Sequence, residues 1–343
     1  MTSRVYLDWN ATTALRAEAR AAMIATMDLV GNPSSVHAEG RAARALVEKA
    51  RAQVAAAVGC KPAEVVFTSG ATEAAAVLGR LAVDAVDVDP TAHECLWSQR
   101  RTGEGSWALG WGFANNETGV ITEPPEREAG VPLMLDIVQA VGKVPFSFAW
   151  SGAEMAVISA HKFGGPKGVG ALIVKDGVET WPVLIGGGQE MGRRAGTENI
   201  IGIAGMGAAA EAAMRDLEAG LWEEVAEFRN ILESALSLGA KDTISVGKGG
   251  PRLPNTLCVI APGWKGETQV MAMDLAGFAV SAGSACSSGK VRPSRVLQAM
   301  GFDAAQASQA IRVSLGPGVT KDEVLRFADV WLAQYAKALS RAA

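Results

Sequence analysis

The segment 64–68, EVVFT, followed at once by Ser69-Gly70-Ala71-Thr72-Glu73, constrains the fold more than any other part of this chain. A short apolar run of this kind reads as a strand buried on both faces. The small-residue turn after it opens a helix. Strand, turn and helix in that order build α/β sheets with parallel strands, and the unpaired N–H groups at such a helix start favour an anion. Further strands are predicted at 131–135, 155–159 and 171–174. Apolar residues at helical spacing predict helices over 15–29, 38–58, 199–217 and 221–238. Gly31-Asn32-Pro33 stops the first helix and Gly59 the second. Beyond them come strands at 256–260, 278–281 and 311–315, with helices over 267–275, 293–300 and from Lys321. The expectation is an α/β chain with a large domain over 14–245 on a mainly parallel sheet. A smaller α+β domain takes 1–13 and 246–343, with the boundary in the Gly- and Pro-containing stretch 241–254. The stretch 83–113 holds three Trp and little periodicity, and no element is assigned there.

Charge excludes some functions. Of 343 residues, 32 are basic and 36 acidic, a net of -4, so nothing electrostatic points to a nucleic acid or an anionic membrane as partner. The first twenty residues lack a secretory pattern, and no apolar run is long enough for a membrane span. Cys60, Cys95, Cys258 and Cys286 are far apart, with no C-x-x-C pair. Neither a metal site nor a disulfide framework is expected, and the chain reads as cytoplasmic with reduced thiols.

Three segments carry chemistry. In Ser159-Ala160-His161-Lys162-Phe163-Gly164-Gly165, a lysine follows a buried strand in a Gly-rich turn, where an amine can be held and desolvated for attack on a carbonyl. The plain alternative is a solvated surface turn. Asp136 ends an apolar strand, and a carboxylate buried there needs a positive partner such as a protonated cofactor ring nitrogen. Taken alone, Asp136 reads first as a helix cap after the strand, and Gln139 lies three residues on. The third segment is Ser281-Ala282-Gly283-Ser284-Ala285-Cys286-Ser287-Ser288-Gly289. Cys60 and Cys258 suit small buried apolar positions, whereas the neighbours of Cys286 are too small and polar to bury it.

These segments occur with Tyr6-Leu7-Asp8, Ala11-Thr12-Thr13, Gly31-Asn32-Pro33-Ser34-Ser35, Thr68 to Glu73, Asn115-Asn116-Glu117, Gly186 to Glu190 and Arg194 to Asn199. The set, in this order over nearly the whole chain, resembles the cysteine desulfurases of the NifS/IscS type, class-V aminotransferase relatives dependent on pyridoxal phosphate. The resemblance implies a fold type I (aspartate-aminotransferase-like) homodimer that removes sulphur from L-cysteine, leaving L-alanine and a persulfide on Cys286. Lys162 would carry the cofactor as an imine and move the substrate α-proton. Asp136 would pair with the ring nitrogen, while Gln139 and Asn116 would contact the ring and its hydroxyl. Ala71, Thr72, Ser159 and His161 would bind the phosphate, with Thr197 reaching it from the other subunit. His93 would stack on the ring as an acid/base, and Arg312 with Asn116 would hold the substrate. The sulphur would pass to an acceptor such as an iron–sulphur scaffold or a tRNA-thiolation relay. Other implied activities are selenocysteine cleavage, another reaction of the class-V family, or a weak activity completed by a partner.

The interval between Glu73 and Asn115 is shorter than in that family by about a helix and a strand, judged from motif spacing. It contains His93. Trp9, Trp97, Trp107 and Trp111 are candidates to cover surface that the shortening opens.

Overall fold

The structure, a computed structural model, describes residues 4–283 and 293–342. The chain forms two compact units. The larger comprises Thr12–Ala114 and Glu123–Ala219; the smaller takes the residues up to Ala11, Asn115–Thr122, and the chain from Gly220 onward. β1 (Val5–Tyr6) belongs to the smaller unit. The larger unit follows with α1 (Ala17–Met27), α2 (Ala38–Val58), β2 (Val65–Thr68), α3 (Ala71–Ala75), β3 (Ala85–Val88), α4 (Glu94–Trp97), β4 (Trp107–Gly112), β5 (Leu133–Asp136), β6 (Met155–Ser159), β7 (Gly170–Val174) and α5 (Ile200–Glu218). The smaller unit resumes with α6 (Leu221–Gly239), β8 (Ile244–Ser245), β9 (Thr256–Ile260), α7 (Gly266–Leu275), β10 (Phe278–Ala279), β11 (Ser281–Ala282), α8 (Arg295–Ala299), α9 (Ala304–Ser308), β12 (Ala310–Ser314) and α10 (Lys321–Ala342).

In the larger unit six strands form one sheet in the order β2-β7-β6-β5-β4-β3. β3 to β6 run parallel, and β7 is antiparallel to both of its neighbours. Alternation along each strand explains the unbroken apolar runs. Val65, Phe67, Leu133, Leu135, Ala156 and Ile158 pack into one core with α1, α2 and α5. Val66, Met134, Met155 and Val157 pack into the other with α3 and α4. Each strand is therefore apolar on both faces, as a sheet covered by helices on both sides demands.

The unassigned stretch 83–113 becomes β3, the single-turn α4 and β4. β3 is one edge of the sheet, opposite β2, and one antiparallel bridge from Val86 to Arg101 pairs with its outer side. Arg101 also donates to the carbonyls of Gly79 and Leu81 at 2.6 and 2.8 Å. Backbone that would otherwise be an open edge is thus satisfied. Trp107 and Trp111 pack against one core and Trp97 against the other, while Trp9 packs in the smaller unit against Gly316, where any Cβ would strike its ring.

The smaller unit has a four-stranded antiparallel sheet, β11-β12-β9-β8, and a parallel pair, β1-β10. The single strand expected at 278–281 is two: the chain pairs with β1 before Val280 and with β12 after it. The units also part at other positions than 245. α6 packs on α10, and its Glu233 makes an almost buried ion pair with Arg252 at 2.8 Å. Val120 forms a β-bridge with the same Arg252, which draws 115–122 into this unit. At Gly220, whose φ of +75° suits glycine, the chain passes from α5 to α6 with no linker for a sequence reading to notice.

Candidate active site

β2, β4, β5 and β6 end at the same edge of the larger unit's sheet, because all four point one way. Loops beyond the carboxyl ends of such strands are where α/β sheets hold ligands. Asp136 ends β5 and Ser159 ends β6, and alternation places both on the face of Met134 and Val157.

Asp136 is buried. Its Oδ1 accepts the Val138 N–H at 2.9 Å, and Cys95 Sγ lies 3.9 Å from Oδ2. Burial pushes its carboxyl above the usual carboxylate range, opposed by His93, the Val138 N–H, the Lys162 charge and the Cys95 thiol. His93 precedes α4 and caps it, its Nδ1 accepting the Cys95 N–H at 3.2 Å. Side-chain atoms of His93, Cys95 and Asp136 lie within 4.8 Å of one another. Burial, and then the Asp136 charge, drive the Cys95 thiol upward, which keeps it a protonated donor towards Asp136.

Lys162 closes a single helical turn, Ala160–Lys162, directly after β6. Its neighbour His161 has Nδ1 3.2 Å from Thr12 Oγ1, and Thr13 Oγ1 donates to the His161 carbonyl at 3.1 Å. Burial lowers the His161 pKa to about 4, helped by the charges of Lys162, Lys167 and Lys143. Gln139 is buried on the turn after β5, and its Oε1 accepts Lys143 Nζ at 2.6 Å. Ala71 is buried and Thr72 exposed at the start of α3, which is only five residues long. Gly170 of β7 runs against this turn: a Cβ there would meet Gly70 Cα at 2.6 Å. The larger unit thus gathers Asp136, His93 and Lys162 electrostatically, with Ser159, His161 and Gln139 on the same strand ends. Thr197 is exposed, in a turn braced by the Arg194–Glu73 ion pair at 2.9 Å.

In the smaller unit Arg312 is buried on β12. Its Nη2 donates to Asp8 Oδ1 at 2.6 Å and its Nη1 to the Asn116 carbonyl at 3.0 Å. Ser281 Oγ donates to the other oxygen of Asp8 at 2.8 Å. Asn115 Oδ1 accepts the N–H groups of Glu117 and Thr118, both at 2.9 Å, and this turn sets the direction of Glu117. Ser294 Oγ donates to Glu117 Oε2 at 2.5 Å. Burial raises the Glu117 carboxyl to about 7 against that bond and the charges of Arg312 and Arg295. Cys258, on β9, is buried and its thiol pushed up to about 12. Cys60, in the larger unit, is likewise raised to about 12 by burial and by Glu64. Cys258 fits the buried position expected of it, whereas Cys60 is only half-buried against the core of the larger unit. Cys286 lies outside the described residues.

The family model for aminotransferase class-V matches residues 5–90 and 109–327. The chain belongs to the class-V aminotransferase family. Among its relatives a cysteine desulfurase of Cereibacter sphaeroides is 38% identical, covering 95% of this chain and 94% of its own. A NifS-like protein from Rickettsia africae is similar in structure, with a TM-score of 0.88 at 28% identity over 97% of this chain and 99% of its own. SspA, solved in complex with cysteine, has a TM-score of 0.75 at 26% identity over 91% and 99% of the two chains. These likenesses place the chain among the fold type I enzymes, in agreement with its mainly parallel, helix-covered sheet.

The family match lapses over 91–108, within the shortened interval and across His93 and Cys95. The position of His93 beside Asp136 therefore comes from the structure of this chain. Sequence reading assigned no role to Cys95, Lys143, Asp8, Thr12 or Glu117, which the structure puts against expected site residues. Asp8, Thr12 and Glu117 stood inside the recognised motifs. Lys143 had a signal of its own, the four-residue spacing from Gln139. Cys95 had none, since its partner is 41 residues away.

Proposed function

We propose that this member of the class-V aminotransferase family is a pyridoxal-phosphate-dependent cysteine desulfurase, moving the sulphur of L-cysteine to Cys286 and releasing L-alanine. Asp136 is the observation that carries the reading. It is a buried carboxylate at a parallel strand end, and its hydrogen bonds come from a backbone N–H and a thiol. Such a group calls for a cation, and a protonated ring nitrogen fits it. The Ser159 hydroxyl, the His161 ring and the Lys162 amine supply the remaining donor chemistry that the cofactor needs.

When bound, pyridoxal phosphate supplies an electron sink for the bonds at the substrate's α-carbon. The chain's own residues do the rest. With the cofactor bound, Asp136 would hold the proton on the ring nitrogen, and Lys162 would hold the cofactor at its carbonyl carbon and move the substrate α-proton. His93 accepts a backbone N–H at Nδ1, so its exchangeable proton in the neutral form sits on Nε2. Ala71, Thr72, Ser159 and His161 hold the phosphate, with His161 uncharged at neutral pH. Gln139 and Asn116 contact the ring and its hydroxyl, and Asn116 also the substrate. Arg312 binds the substrate carboxylate: its Nε is a buried donor with no partner among the described residues, while Asp8 and Asn116 fix the guanidinium plane.

The transfer balances without an outside oxidant. The Cys286 thiolate forms an S–S bond to the substrate sulphur, and the Cβ–S bond breaks with its electron pair to carbon, which takes a proton. The products are a persulfide and alanine. Thr197 serves the phosphate of a second copy, and the exposed Trp181, Ile185 and Met191 support such a homodimer. The persulfide sulphur passes to a protein acceptor for iron–sulphur assembly or tRNA thiolation, in the cytoplasm. No helix among the described residues is long and apolar enough to cross a membrane.

The test is product analysis. The chain reconstituted with cofactor and given L-cysteine should yield alanine and one added sulphur on Cys286 by mass spectrometry. Cys286→Ser should keep the cofactor and lose that sulphur. A keto acid product, or sulphur carried by Cys60, Cys95 or Cys258, would overturn the proposal.

A further inference from the structure

We infer that Lys143 is a positioning residue for the cofactor, which fixes the end of the Gln139 amide that faces the ring. The inference rests on the pyridoxal-phosphate site proposed above. Lys143 is 2% exposed and Gln139 3%. An ammonium so far from water is costly unless bonded, so its placement calls for a cause. The two residues stand four apart on the turn that leaves β5. That turn is coiled by the Ala140 N–H to the Ile137 carbonyl and the Lys143 N–H to the Ala140 carbonyl, both at 2.9 Å. Gly142, at φ +69°, clamps it to α5, since a Cβ there would lie 2.6 Å from the Ala213 Cβ.

Lys143 Nζ donates to Gln139 Oε1 at 2.6 Å. An ammonium has three donors and no acceptor, so it bonds only the oxygen end of an amide. The reverse orientation would set the amide N–H groups against the ammonium. Lys143 therefore commits the Gln139 nitrogen to the side away from itself. A ring hydroxyl or its anion needs a donor opposite it, and the committed amide presents one. Without Lys143 this constraint on the amide's orientation is lost. Asp136, at the start of the same turn, handles the ring nitrogen, so the segment 136–143 would address two atoms of the ring.

The test is a double-mutant cycle on cofactor binding. Apo-protein is titrated with pyridoxal phosphate, followed by absorbance, for wild type, Lys143→Met, Gln139→Met and the double variant. Lys143→Met should weaken binding about 10- to 100-fold, the range for loss of one hydrogen bond to a charged group. In the Gln139→Met background the same change should add nothing. A second readout needs no cofactor: the side-chain carbonyl carbon of Gln139 should shift in the NMR spectrum of apo Lys143→Met. Equal weakening in both backgrounds, or no weakening at all, overturns the inference. Should Lys143→Met fail to fold, Gln139→Glu keeps an acceptor for Lys143 but loses the donor. It should fold and bind the cofactor at least about tenfold more weakly; wild-type affinity would overturn the inference. If wild type itself binds no pyridoxal phosphate, the proposed function fails instead, and the NMR shift still decides the Lys143–Gln139 contact.

Discussion

Replacing Glu117 by Gln should make the protein more stable at pH 8 and leave it unchanged near pH 4. The Glu117 carboxyl is raised from 4.5 to about 7, chiefly by burial. The sign follows from proton counting. Below about pH 4 both folded and unfolded chains hold this proton, and the site is neutral in stability. Between 4.5 and about 7 the unfolded chain releases it while the folded chain keeps it, so stability falls as pH rises. Above about 7 both are ionised and the loss is complete. At ~1.4 kcal/mol for each pH unit, the rise corresponds to about 3 kcal/mol as an upper value. Gln has the same shape, still accepts from Ser294 Oγ, and does not titrate. Thermal unfolding of both proteins from pH 4 to 9 is the assay. The variant's advantage in midpoint should grow between pH 4.5 and about 7 to on the order of 5 °C, then level off. An advantage independent of pH would refute the reasoning. A variant less stable at pH 8 than wild type would show that pairing with Arg312 and Arg295 outweighs burial.

Arg312→Lys should raise KM for L-cysteine about 10- to 100-fold, because a compact ammonium lacks the planar fork that spans Asp8, the Asn116 carbonyl and a carboxylate. Steady-state kinetics with cofactor content measured in parallel checks this, and cofactor content should not change. Asp136→Asn should leave the apo-protein equally or more stable by thermal unfolding, since a desolvated carboxylate is exchanged for a neutral amide. The same variant should lose turnover, measured as alanine formed.

Much of the fold was legible because its causes are local. Met134 and Val157 face one way and Leu135 and Ile158 the other, and a strand apolar on both faces announces a sheet covered on both sides; β2, with Val66 and Phe67, carries the same pattern although it pairs antiparallel with β7. The long helices over Ala38–Val58 and Lys321–Ala342 carry helical apolar spacing within themselves. The edge at 83–113 was not legible. Its order depends on Arg101 bonding Val86 and the carbonyls of Gly79 and Leu81, contacts that leave no periodicity. The compact unit that resumes at Gly220 has no local signal either, since α6 packs on α10 across about 100 residues of chain.

The site divides along the same line. Asp136 and Lys162 could be singled out because they stand at and just after strand ends, with Gln139 three residues beyond Asp136, whereas Arg312, mid-strand on β12, came only with the resemblance. What surrounds them came only from the tertiary structure. Cys95 lies under Asp136, Thr12 beside His161, Asp8 on Arg312 and Ser294 on Glu117, all partners distant in the chain. The sequence by itself determined which groups are available and the α/β class that presents them. The tertiary structure decided their ionisation and orientation: a carboxyl raised at Glu117, an imidazole lowered to about 4 at His161, an amide turned at Gln139. Desolvation and hydrogen-bond direction depend on what is packed around a group, and packing brings together residues that the order of the chain keeps apart.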